Sequence, residues 1–547
     1  MSATWNFEPE LIQSLDAGVP AILASQKPNG QFGTEPWICN DQNELFPLAV
    51  AWSLEESAHH HSDHLLEGIL LGGNALIEDA DDNAMWTFRK KDHSTWGQIH
   101  QPWTYSRWIR AYCLTRDAFA SEDRKRWDNF LQFAFTRISE ENLARLHNIP
   151  AHHAMALYFA GTLFEREEWL NQSREFLHQV VDSQTPDGWW AEHAGPVVMY
   201  NFVYVESVGT YYSISKDEYV LPSLERAAGY HSNFVYPDGS IVETIDGRNS
   251  WHAGVRVGNP GFAHTAKGRG FLKQQHALHI AGGSNFGADY AASILHHGTE
   301  SEYEPTASSA GERTYRMSDD ALVVRKGPWF YVLSAYCTPV PTNRWGQDRQ
   351  NFVSVYHDRL GLIIGGGNTK LQPMWSTFTV GDTSLLKHTP GEANPEFTPD
   401  IPLTHVPSES KLAADASEIS FKYGEETCSV TVEVVSDSEL HLILEATTNS
   451  GMPVEAHITL IPHQDQSLST SAVESVSFTE EPIDQNVTWI EHAGWRLELP
   501  EGASFLWPTY PHNPYRKGGE GFLDEALISV RIPFAEGKNR RVVKLHT

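Results

Sequence analysis

A tight-turn motif recurs along the first half of the chain and sets the length of a structural unit. Pro186-Asp187-Gly188 is followed four residues after the glycine by Glu192, and Pro237-Asp238-Gly239 is followed in the same way by Glu243. A looser copy, Pro28-Asn29-Gly30, lies near the start. In such turns Pro fixes its own φ, Asp or Asn bonds back to the backbone, and Gly adopts a positive φ. The 51-residue step between the two closer copies is the length of a helical hairpin with its loops. The repeat therefore predicts a ring of helical hairpins whose turns lie at one rim.

Length and charge limit the classes of protein to which the chain can belong. At 547 residues it exceeds what one core usually serves, so we expect two domains. Its formal net charge of -30 excludes a general nucleic-acid or anionic-membrane role, because such a field repels phosphate polymers. Residues 1–15 lack the features of a secretory signal. We therefore expect a cytoplasmic protein, or a periplasmic or secreted one if a leader has been removed.

The hydrophobic period changes part-way along the chain. Apolar residues at three- and four-residue spacing predict helices over 45–55, 64–77, 103–114, 121–138, 150–164, 167–181 and 220–232. The stretch 189–212 fits either a buried helix or short strands. A period of two then predicts strands over 321–324, 330–335, 352–357, 419–423, 429–435, 439–445, 454–461, 489–491 and 541–545. The expected fold is α+β and multidomain, with an N-terminal (α/α) toroid over 1–300 and a C-terminal antiparallel β-sandwich over 301–547, joined by a linker at 298–311.

The first candidate site is a helix start. Pro150 is tolerated in a first helical turn, so Asn148 falls at or just before a helix N-terminus. Free backbone N–H groups and the positive end of the helix dipole make such a position suitable for binding an anion. The alternative is that Asn148 only caps the helix.

The second candidate site follows one of the tight turns. Residues 187–201 contain an acid, His193 and Tyr200, and the adjacent Trp189 and Trp190 offer faces on which a sugar ring can stack. Tyr200 is the preferred base. A phenol titrates near ~10, so it acts as a base at neutral pH only when a neighbouring cation or donor stabilises the phenolate. The alternative is that Tyr200 is a core aromatic.

The third candidate site is a basic window. No Asp or Glu occurs from Gly247 to Ala288, although acids outnumber bases 70 to 40 overall. Arg248 and His252 lie at the start of this window. A local positive surface on a negative protein indicates an acidic ligand. The alternative is that these bases pair with acids elsewhere in the chain. The window also contains Arg256, Lys267, Arg269 and Lys273.

The order of these features resembles the heparinase II/III-like polysaccharide lyases. The likeness consists of an Asn before an apolar helix, then Asp-Gly, Glu, Pro and Tyr, then a second Asp-Gly, on a helical half followed by a β half. It implies cleavage of a glycosidic bond at a uronic acid by β-elimination. It also implies that Asn148 helps to neutralise the uronate carboxylate, and that Tyr200 takes the C5 proton and returns it to the leaving oxygen. Arg248 and His252 would add to the carboxylate clamp.

The candidate site residues fall into two groups, and the resemblance also implies a partner. The catalytic candidates are Tyr200, Asn148, His193 and Arg248, and the substrate-binding candidates are His152, Trp189, Trp190, His252, Arg344 and Tyr204. Relatives often carry His-x-His-x-Asp at the first β strands, whereas here Arg344 and Gly346 occupy the histidine positions. We therefore expect no family-type zinc site, no other metal and no cofactor. Arg344 would instead reach the substrate carboxylate, unless it is an ordinary surface arginine. The expected partner is an acidic, uronate-containing oligo- or polysaccharide, not a nucleic acid or a membrane.

Two other functions fit the same residues. A toroidal hydrolase of the unsaturated glucuronyl hydrolase type would use two carboxylates or a carboxylate-activated water. Its candidates are Asp187, Glu192, Asp238, Glu243 and Asp41. A glycan-binding scaffold without turnover would need none of these groups for catalysis.

Overall fold

The chain divides into two compact units. The computed structural model describes residues 4–192, 195–306, 311–389, 391–392, 394–415, 417–536 and 539–547. Unit 1 comprises Met1–Trp190, Tyr200–Ser232 and Arg256–Thr306, and unit 2 comprises Ala191–Met199, Asn233–Val255 and Ala307–Thr547. This division differs from the predicted one at residue 300, because two short segments of the first half pack with the second half.

Unit 1 is built mainly of helices. The α-helices within the described residues are α1 Glu8–Ser25, α2 Leu45–Ser53, α3 Asp63–Asp79, α4 Pro102–Thr115, α5 Ser121–Glu141, α6 Asn148–Leu163, α7 Glu167–Asp182, α8 Val198–Ser215, α9 Leu221–Asn233, α10 Ala266–Ala281 and α11 Ala288–His297. All seven predicted helices are confirmed. The ambiguous stretch 189–212 contains most of α8, whose apolar residues are not confined to one face. None of the helices in the described ranges is long and apolar enough to cross a bilayer.

The inner helices of unit 1 form a closed ring. Helix α2 packs on α4, α4 packs on α6, and α11 packs on α2. The His152 ring on α6 bonds to the carbonyl of Val203 on α8 over 3.2 Å. Gly209 of α8 closely approaches Gly261 in the 3-10 helix Pro260–His264, which packs on α11. Helices α3, α5 and α7 pack against members of this ring, so the predicted (α/α) toroid is confirmed.

The three tight turns adopt one geometry. Gly30, Gly188 and Gly239 have φ values of 86°, 93° and 85°. In each turn the glycine N–H donates to the carbonyl three residues earlier. The acceptors are the carbonyls of Lys27, Thr185 and Tyr236, at 2.9, 3.0 and 2.9 Å. The repeat read from the sequence therefore recurs as a repeat of backbone structure.

Two of the turns are each held by a glutamine at the equivalent position, which the repeat did not single out. The Gln184 side-chain amide donates to the carbonyl of Gly188 and to that of Ser223 on α9, both over 3.0 Å. Gln26 binds the carbonyl of Gly30 and a carbonyl of α3 in the same way. Each glutamine stands four residues before its glycine and ties the turn to an outer helix. That shared offset is visible in the sequence and was a usable signal.

Unit 2 contains two large antiparallel sheets. Outside these two sheets, short strand pairs are formed by β1 Thr4–Trp5 with β6 Ser301–Glu302, by β2 Trp86–Arg89 with β3 Thr95–Ile99, and, within unit 2, by β4 Ala191–Glu192 with β5 Gly195–Pro196. The strands of the large sheets are β7 Arg313–Met317, β8 Ala321–Lys326, β9 Trp329–Ser334, β10 Val353–His357, β11 Gly361–Ile364, β12 Phe378–Gly381, β13 Leu403–Thr404, β14 Glu409–Leu412, β15 Glu418–Tyr423, β16 Glu426–Ser436, β17 Glu439–Ala446, β18 Val454–Leu460, β19 Leu468–Thr470, β20 Ile483–Asn486, β21 Trp489–His492, β22 Trp495–Glu498, β23 Ser504–Thr509, β24 Leu527–Pro533 and β25 Arg540–His546.

The two sheets share one core. The first runs β20-β23-β24-β18-β11-β10-β9-β8-β7, with β12 and β13 beside β18, and the second runs β14-β15-β16-β17-β25-β22-β21-β19. Alternate residues of β17, Leu440, Leu442 and Leu444, are buried in the same cluster as Tyr331 and Leu333 of β9. This alternation is the period of two that predicted the strands. All nine predicted strands and the antiparallel β-sandwich are confirmed. Residues 307–310 of the predicted linker lie outside the described residues.

We expect the substitution Gly188→Ala to destabilise unit 1. A Cβ at this position would stand 2.2 Å from the carbonyl oxygen of Arg226, and the backbone has φ +93°. The left-handed conformation and the overlap together should cost about 3 kcal/mol. Gly283→Ala is the matched control, because its φ is +74° and a Cβ there would have no neighbour within 4 Å. Urea unfolding measures both variants. Equal losses of stability would show that the close approach of the turn to the helix contributes nothing.

Candidate active site

The first turns of α6 and α8 lie side by side in unit 1. Asn148 is the first residue of α6, as predicted, and is 3% exposed. Tyr200 lies in the first turn of α8 and is half-buried. One turn further along each helix, His152 of α6 contacts Val203 of α8. Further along both helices the Tyr158 and Tyr211 rings also contact each other, at 4.9 Å, so α6 and α8 run parallel and Asn148 and Tyr200 occupy the same end of this helix pair. The positive dipole ends of two helices therefore flank these residues, and at the start of α8 the Met199 N–H already donates to the Asp246 carboxylate over 3.4 Å.

His152 holds α6 against α8 and is not accessible to a ligand. It is 0% exposed, and its Nε2 donates to the Val203 carbonyl. Burial lowers the pKa of His152 to about 4, although Glu206 acts in the opposite direction. The ring is thus neutral near pH 7. The prediction that His152 contacts substrate conflicts with this burial, and the structure gives it a positioning role instead.

A charged network continues from His152 along the inner wall of unit 1. Glu206 of α8 lies 3.9 Å from the His152 Nε2 and 3.9 Å from an Nη atom of Arg107. The Arg107 guanidinium binds Asp289 of α11 through two bonds of 2.8 and 2.6 Å. Burial, with a smaller effect of Asp289, raises the pKa of Glu44 to about 7. Helices α4, α8 and α11 of the ring thus contribute charged groups to this network, and Glu44 lies directly before α2. The sequence singled out none of these four charged residues.

The predicted aromatic platform belongs to the core of unit 1. Trp189, Trp190 and Tyr204 are 6%, 1% and 3% exposed. The Trp190 indole N–H donates to the Val180 carbonyl over 2.7 Å, and its ring stacks on Tyr204 at 5.2 Å. The side-chain amide of Asn201 exchanges two hydrogen bonds with the Trp190 backbone. The double tryptophan therefore anchors the segment that leads into α8, and its prediction as a sugar-stacking surface conflicts with its burial.

In unit 2 an ion pair joins two of the predicted motifs. The Arg248 Nη1 lies 3.0 Å from the Glu192 Oε1, and each side chain is 10% exposed. Glu192 ends strand β4 of the β4–β5 hairpin. His193, predicted as catalytic, lies outside the described residues. The guanidinium of Arg248 is thus already oriented by a carboxylate.

Asp246 fixes the backbone that carries Arg248. One Asp246 oxygen accepts the backbone N–H groups of Arg248 and Asn249, both at 2.8 Å. Such a bond from an Asp side chain to the backbone two residues on is an Asx turn. Burial raises the pKa of Asp246 while these N–H groups favour its charged form. The second Asp-Gly motif therefore serves as a turn that directs Arg248.

Two aromatic rings lie close to the Arg248 guanidinium. Its central carbon is 4.9 Å from the Trp345 ring centroid and 5.4 Å from that of Tyr515, and both rings are half-buried. A guanidinium this close to aromatic rings gains cation–π attraction. His252, which the sequence predicts to bind substrate, is exposed and lines the same cavity as Arg248. Trp345 and Tyr515 are functional candidates that the sequence patterns did not indicate, because they are far apart in the sequence and come together only in the folded protein.

A buried arginine holds the Glu192 and Arg248 segments in unit 2. Arg349 is 3% exposed and donates to the carbonyls of Ile245 and Pro196, over 2.6 and 2.9 Å. Pro196 belongs to the β4–β5 hairpin, and Ile245 precedes the Asx turn. One guanidinium thereby ties both segments to the residues that precede β10.

Arg344 and Lys370 hold the loops that carry Trp345 and Tyr515. Lys370 is 0% exposed and its Nζ donates to the carbonyls of Pro341, Asn343 and Gly346 at 2.5–2.9 Å. Burial lowers the pKa of Lys370 to about 8. The Arg344 guanidinium donates to the carbonyls of residues 514, 516 and 517. The role of Arg344 as a substrate ligand stays a prediction, because its observed bonds run to the loop of Tyr515.

The basic window is only partly a cationic surface. Lys267 pairs with Glu225 over 3.1 Å, and Arg269 donates to the carbonyls of Ala263 and Glu302. The charges of Lys267 and Arg269 are therefore satisfied within the fold, as the alternative interpretation of the basic window predicts. Among the residues that the structure describes, no group of three or more His, Cys, Asp or Glu side chains could hold a metal ion.

Solved structures of similar fold cover nearly the whole chain. A chondroitin AC lyase of Streptomyces coelicolor A3, in complex with chondroitin sulphate, has a TM-score of 0.54 at 13% identity, over 100% of this chain and 80% of that one. Heparinase III has a TM-score of 0.53 at 14% identity, over 98% and 86%. A chondroitinase AC lyase has a TM-score of 0.50 at 11% identity, over 98% and 82%. The chain has a polysaccharide lyase fold. No protein-family model matches the sequence, and no curated protein matches it either.

The three residues that the resemblance selected share one kind of position in the fold. The Asn, Tyr and Arg that the resemblance selected lie at element ends: the starts of α6 and α8 and the Asx turn of unit 2. Loops and element ends on a rigid scaffold commonly carry function. The structural similarity establishes the fold, and the roles of Asn148, Tyr200 and Arg248 stay predictions.

We expect Arg344→Met to loosen the loop that carries Tyr515. The substitution removes the guanidinium bonds to the carbonyls of residues 514, 516 and 517. Loss of such charge-assisted bonds, worth about 1.5–3 kcal/mol each, should speed local opening at least about 10-fold. Trypsin reads this directly, because Arg516 and Lys517 are cleavage sites within the loop.

Arg496→Met is the control for this experiment. Arg496 is a half-buried residue of β22 that pairs with Glu491 over 3.1 Å, and within the described residues none of its hydrogen bonds or ion pairs runs to the 514–517 loop. Its loss should leave cleavage after Arg516 and Lys517 unchanged, as followed by mass spectrometry. An unchanged rate in Arg344→Met as well would mean that the loop is held by other contacts.

Proposed function

We propose that this protein is a lyase that cleaves the glycosidic bond to a uronic acid by β-elimination. The observation that carries the proposal is the pair of adjacent helix starts that bear Asn148 and Tyr200 in unit 1. The pair combines a phenol that can move a proton with amide and backbone donors that can stabilise negative charge. Tyr200 is half-buried, which leaves part of the side chain open to a ligand.

The chemistry requires both functions together. The C5 proton of a uronate lies α to a carboxylate and is weakly acidic until the enolate charge is met by fixed donors. In the proposed reaction Tyr200, as phenolate, takes that proton while the Asn148 side chain and the positive dipole ends of α6 and α8 stabilise the carboxylate. The C4–O bond then breaks, a C4–C5 double bond forms, and Tyr200 returns the proton to the leaving oxygen. No water is consumed.

The solved structures of similar fold support an acidic polysaccharide as the substrate. They include chondroitin AC lyases and heparinase III, one of them in complex with chondroitin sulphate. A uronate-containing glycan also agrees with Arg248, whose guanidinium can bind a carboxylate through two bonds. The partner we propose is therefore a uronate oligo- or polysaccharide.

Four of the five carboxylates predicted for a hydrolase are engaged in the fold. Glu243 is 2% exposed and accepts the Gly366 N–H and the Tyr236 hydroxyl, each at 2.9 Å. Asp238 accepts the Ser240 N–H over 2.8 Å. Asp41 pairs with Lys91, and Glu192 pairs with Arg248. These bonds favour elimination over hydrolysis.

The first test is Tyr200→Phe on a panel of uronate oligosaccharides, followed by absorbance in the near ultraviolet. Elimination creates a conjugated double bond and raises the absorbance. Removing the general acid–base should lower kcat by on the order of 10²–10⁴ with little change in KM. The matched control is Tyr212→Phe on the same helix, whose ring packs against His264. A fall in the absorbance of an unsaturated substrate would identify a hydrolase, and binding without any product would identify a glycan-binding protein.

The second test is Asn148→Ala. Loss of a donor that stabilises the enolate should lower kcat by on the order of 10²–10³. Asn171→Ala on the exposed face of α7 is the control, since its amide bonds to Glu167 and Arg174 of the same helix. Circular dichroism and thermal melting establish that both variants fold. A normal kcat in a folded Asn148→Ala protein would remove Asn148 from the mechanism and leave it as a helix-start residue.

A further inference from the structure

An apolar pocket with a volume of about 200 Å³ lies in unit 2. Among the residues that the structure describes, it shares no lining residue with the cavity beside Arg248. Val340 and Leu386 form part of its walls, and the rest comes from the segment 397–406, which contains strand β13. We call it the 397–406 pocket. It is a separate concave site of the β-sandwich unit.

The walls of the 397–406 pocket are mainly apolar. Phe397 supplies an aromatic ring, and aliphatic side chains come from Val340, Leu386, Ile401, Leu403 and Val406. Leu386 is 4% exposed, whereas the other five are half-buried and leave the pocket open to a ligand. Partly exposed apolar side chains gathered in a concave site are typical of small-molecule binding sites.

The Phe397 ring is held in place by two neighbours. The Lys370 Nζ lies 4.9 Å from its centroid, and the His512 ring meets it edge-on at 5.7 Å. Lys370 is itself fixed by its bonds to three backbone carbonyls. The pocket therefore presents a preformed aromatic wall, against which a second aromatic ring can pack in an offset or edge-on arrangement.

One polar side chain gives the pocket its chemical preference. His405 lines it, and its Nε2 lies 2.9 Å from the Oδ2 of Asp348, which is 1% exposed. A carboxylate only accepts hydrogen bonds, so Nε2 carries the proton and donates. The Nδ1 of the neutral ring is then an acceptor, and it makes no hydrogen bond within the described part of the chain. A ligand that pairs with His405 must therefore bring a donor.

The other polar groups of the pocket are neutral. They are the hydroxyls of Thr398 and Thr404, of which the first donates to Glu396 over 3.3 Å. No Lys, Arg, Asp or Glu is among the described residues that line the pocket. A charged ligand would lose its hydration there without gaining a partner of opposite charge. The pocket thus favours a neutral ligand.

The volume of the pocket fits one six-membered ring. A cavity of about 150 Å³ with apolar walls holds benzene. The volume of about 200 Å³ leaves room for one small substituent on such a ring. A phenol meets all three requirements, because it is neutral, has an aromatic ring of this size and carries a hydroxyl that donates.

We propose that the 397–406 pocket binds a small phenol, whose ring packs against Phe397 and the aliphatic wall and whose hydroxyl donates to the Nδ1 of His405. The inference does not depend on the proposed lyase reaction, in which none of these residues takes part. It gives the β-sandwich unit a ligand that differs from a uronate glycan in charge, size and polarity.

The first test compares phenol with anisole, which has the same ring but no hydroxyl proton. Both are titrated calorimetrically into the full-length protein. His405→Leu should shift the ratio of the two affinities at least 5-fold toward anisole, because only the phenol loses a hydrogen bond. The ratio cancels what the apolar walls contribute to both ligands. An unchanged ratio in a folded His405→Leu protein, or a wild type that binds neither ligand, would overturn the proposal.

Benzoate tests the charge of the ligand. It has the same ring as phenol but carries a carboxylate in place of the hydroxyl, so the wild type should bind it at least 10-fold more weakly than phenol. Binding of benzoate as tight as that of phenol would identify an anion site and contradict the proposal.

A filled pocket gives a test that leaves the His405–Asp348 pair intact. Val406→Phe adds a ring to the pocket wall and should weaken the binding of both phenol and anisole at least 10-fold. Val435→Phe adds the same ring at a position of β16 that is 49% exposed, and should leave both affinities unchanged. Thermal melting establishes that both variants fold. Unchanged binding by Val406→Phe would show that the ligands bind elsewhere.

Discussion

Buried cations that bind backbone carbonyls hold the functional part of unit 2 together. Arg349 draws in the carbonyls of Ile245 and Pro196, and Lys370 collects three carbonyls beneath the 341–346 loop. Arg344, in that loop, binds carbonyls of the 514–517 loop. An irregular loop cannot satisfy its own backbone as a helix does, and an unpaired buried carbonyl costs free energy. Because one arginine or lysine side chain can donate several hydrogen bonds, each of these cations pairs several loop carbonyls at once. Segments that are far apart in the sequence are thereby held together around Arg248.

The candidate groups for an acidic ligand differ in kind between the two units. In unit 1 they are the amide of Asn148 and the positive dipole ends of α6 and α8, whose partial charges come from the backbone and need no ionised side chain. In unit 2 the donor is a full guanidinium, oriented by Glu192 and close to the rings of Trp345 and Tyr515. Helix starts supply short-range N–H bonds, whereas a guanidinium supplies charge and a flat bidentate face. An acidic protein with a net charge of -30 can in this way still contain local sites for an acidic ligand.

The site residues that sequence could identify are those set by local rules. Asn148 was placed at a helix start by Pro150 two residues later, and that position is confirmed. The Pro-Asp-Gly turns were found from their composition alone, and their glycines have the positive φ that composition requires. The sequence assigns Trp189, Trp190 and Tyr204 to sugar binding, but aromatic side chains occur both in binding sites and in hydrophobic cores. Only burial separates these two uses, and burial depends on the packing of α8.

The sequence by itself determined the helical and β halves, the turn repeat and the chemistry available at Tyr200 and Arg248. These follow from the hydrophobic period, from backbone preferences and from side-chain type, which act over a few residues. Tertiary structure alone decided that 191–199 and 233–255 pack with the β-sandwich, that His152 is a buried neutral contact, and that Trp345 and Tyr515 flank Arg248. Those outcomes depend on hydrogen bonds and ring contacts between residues up to several hundred positions apart, for which a linear pattern carries no signal.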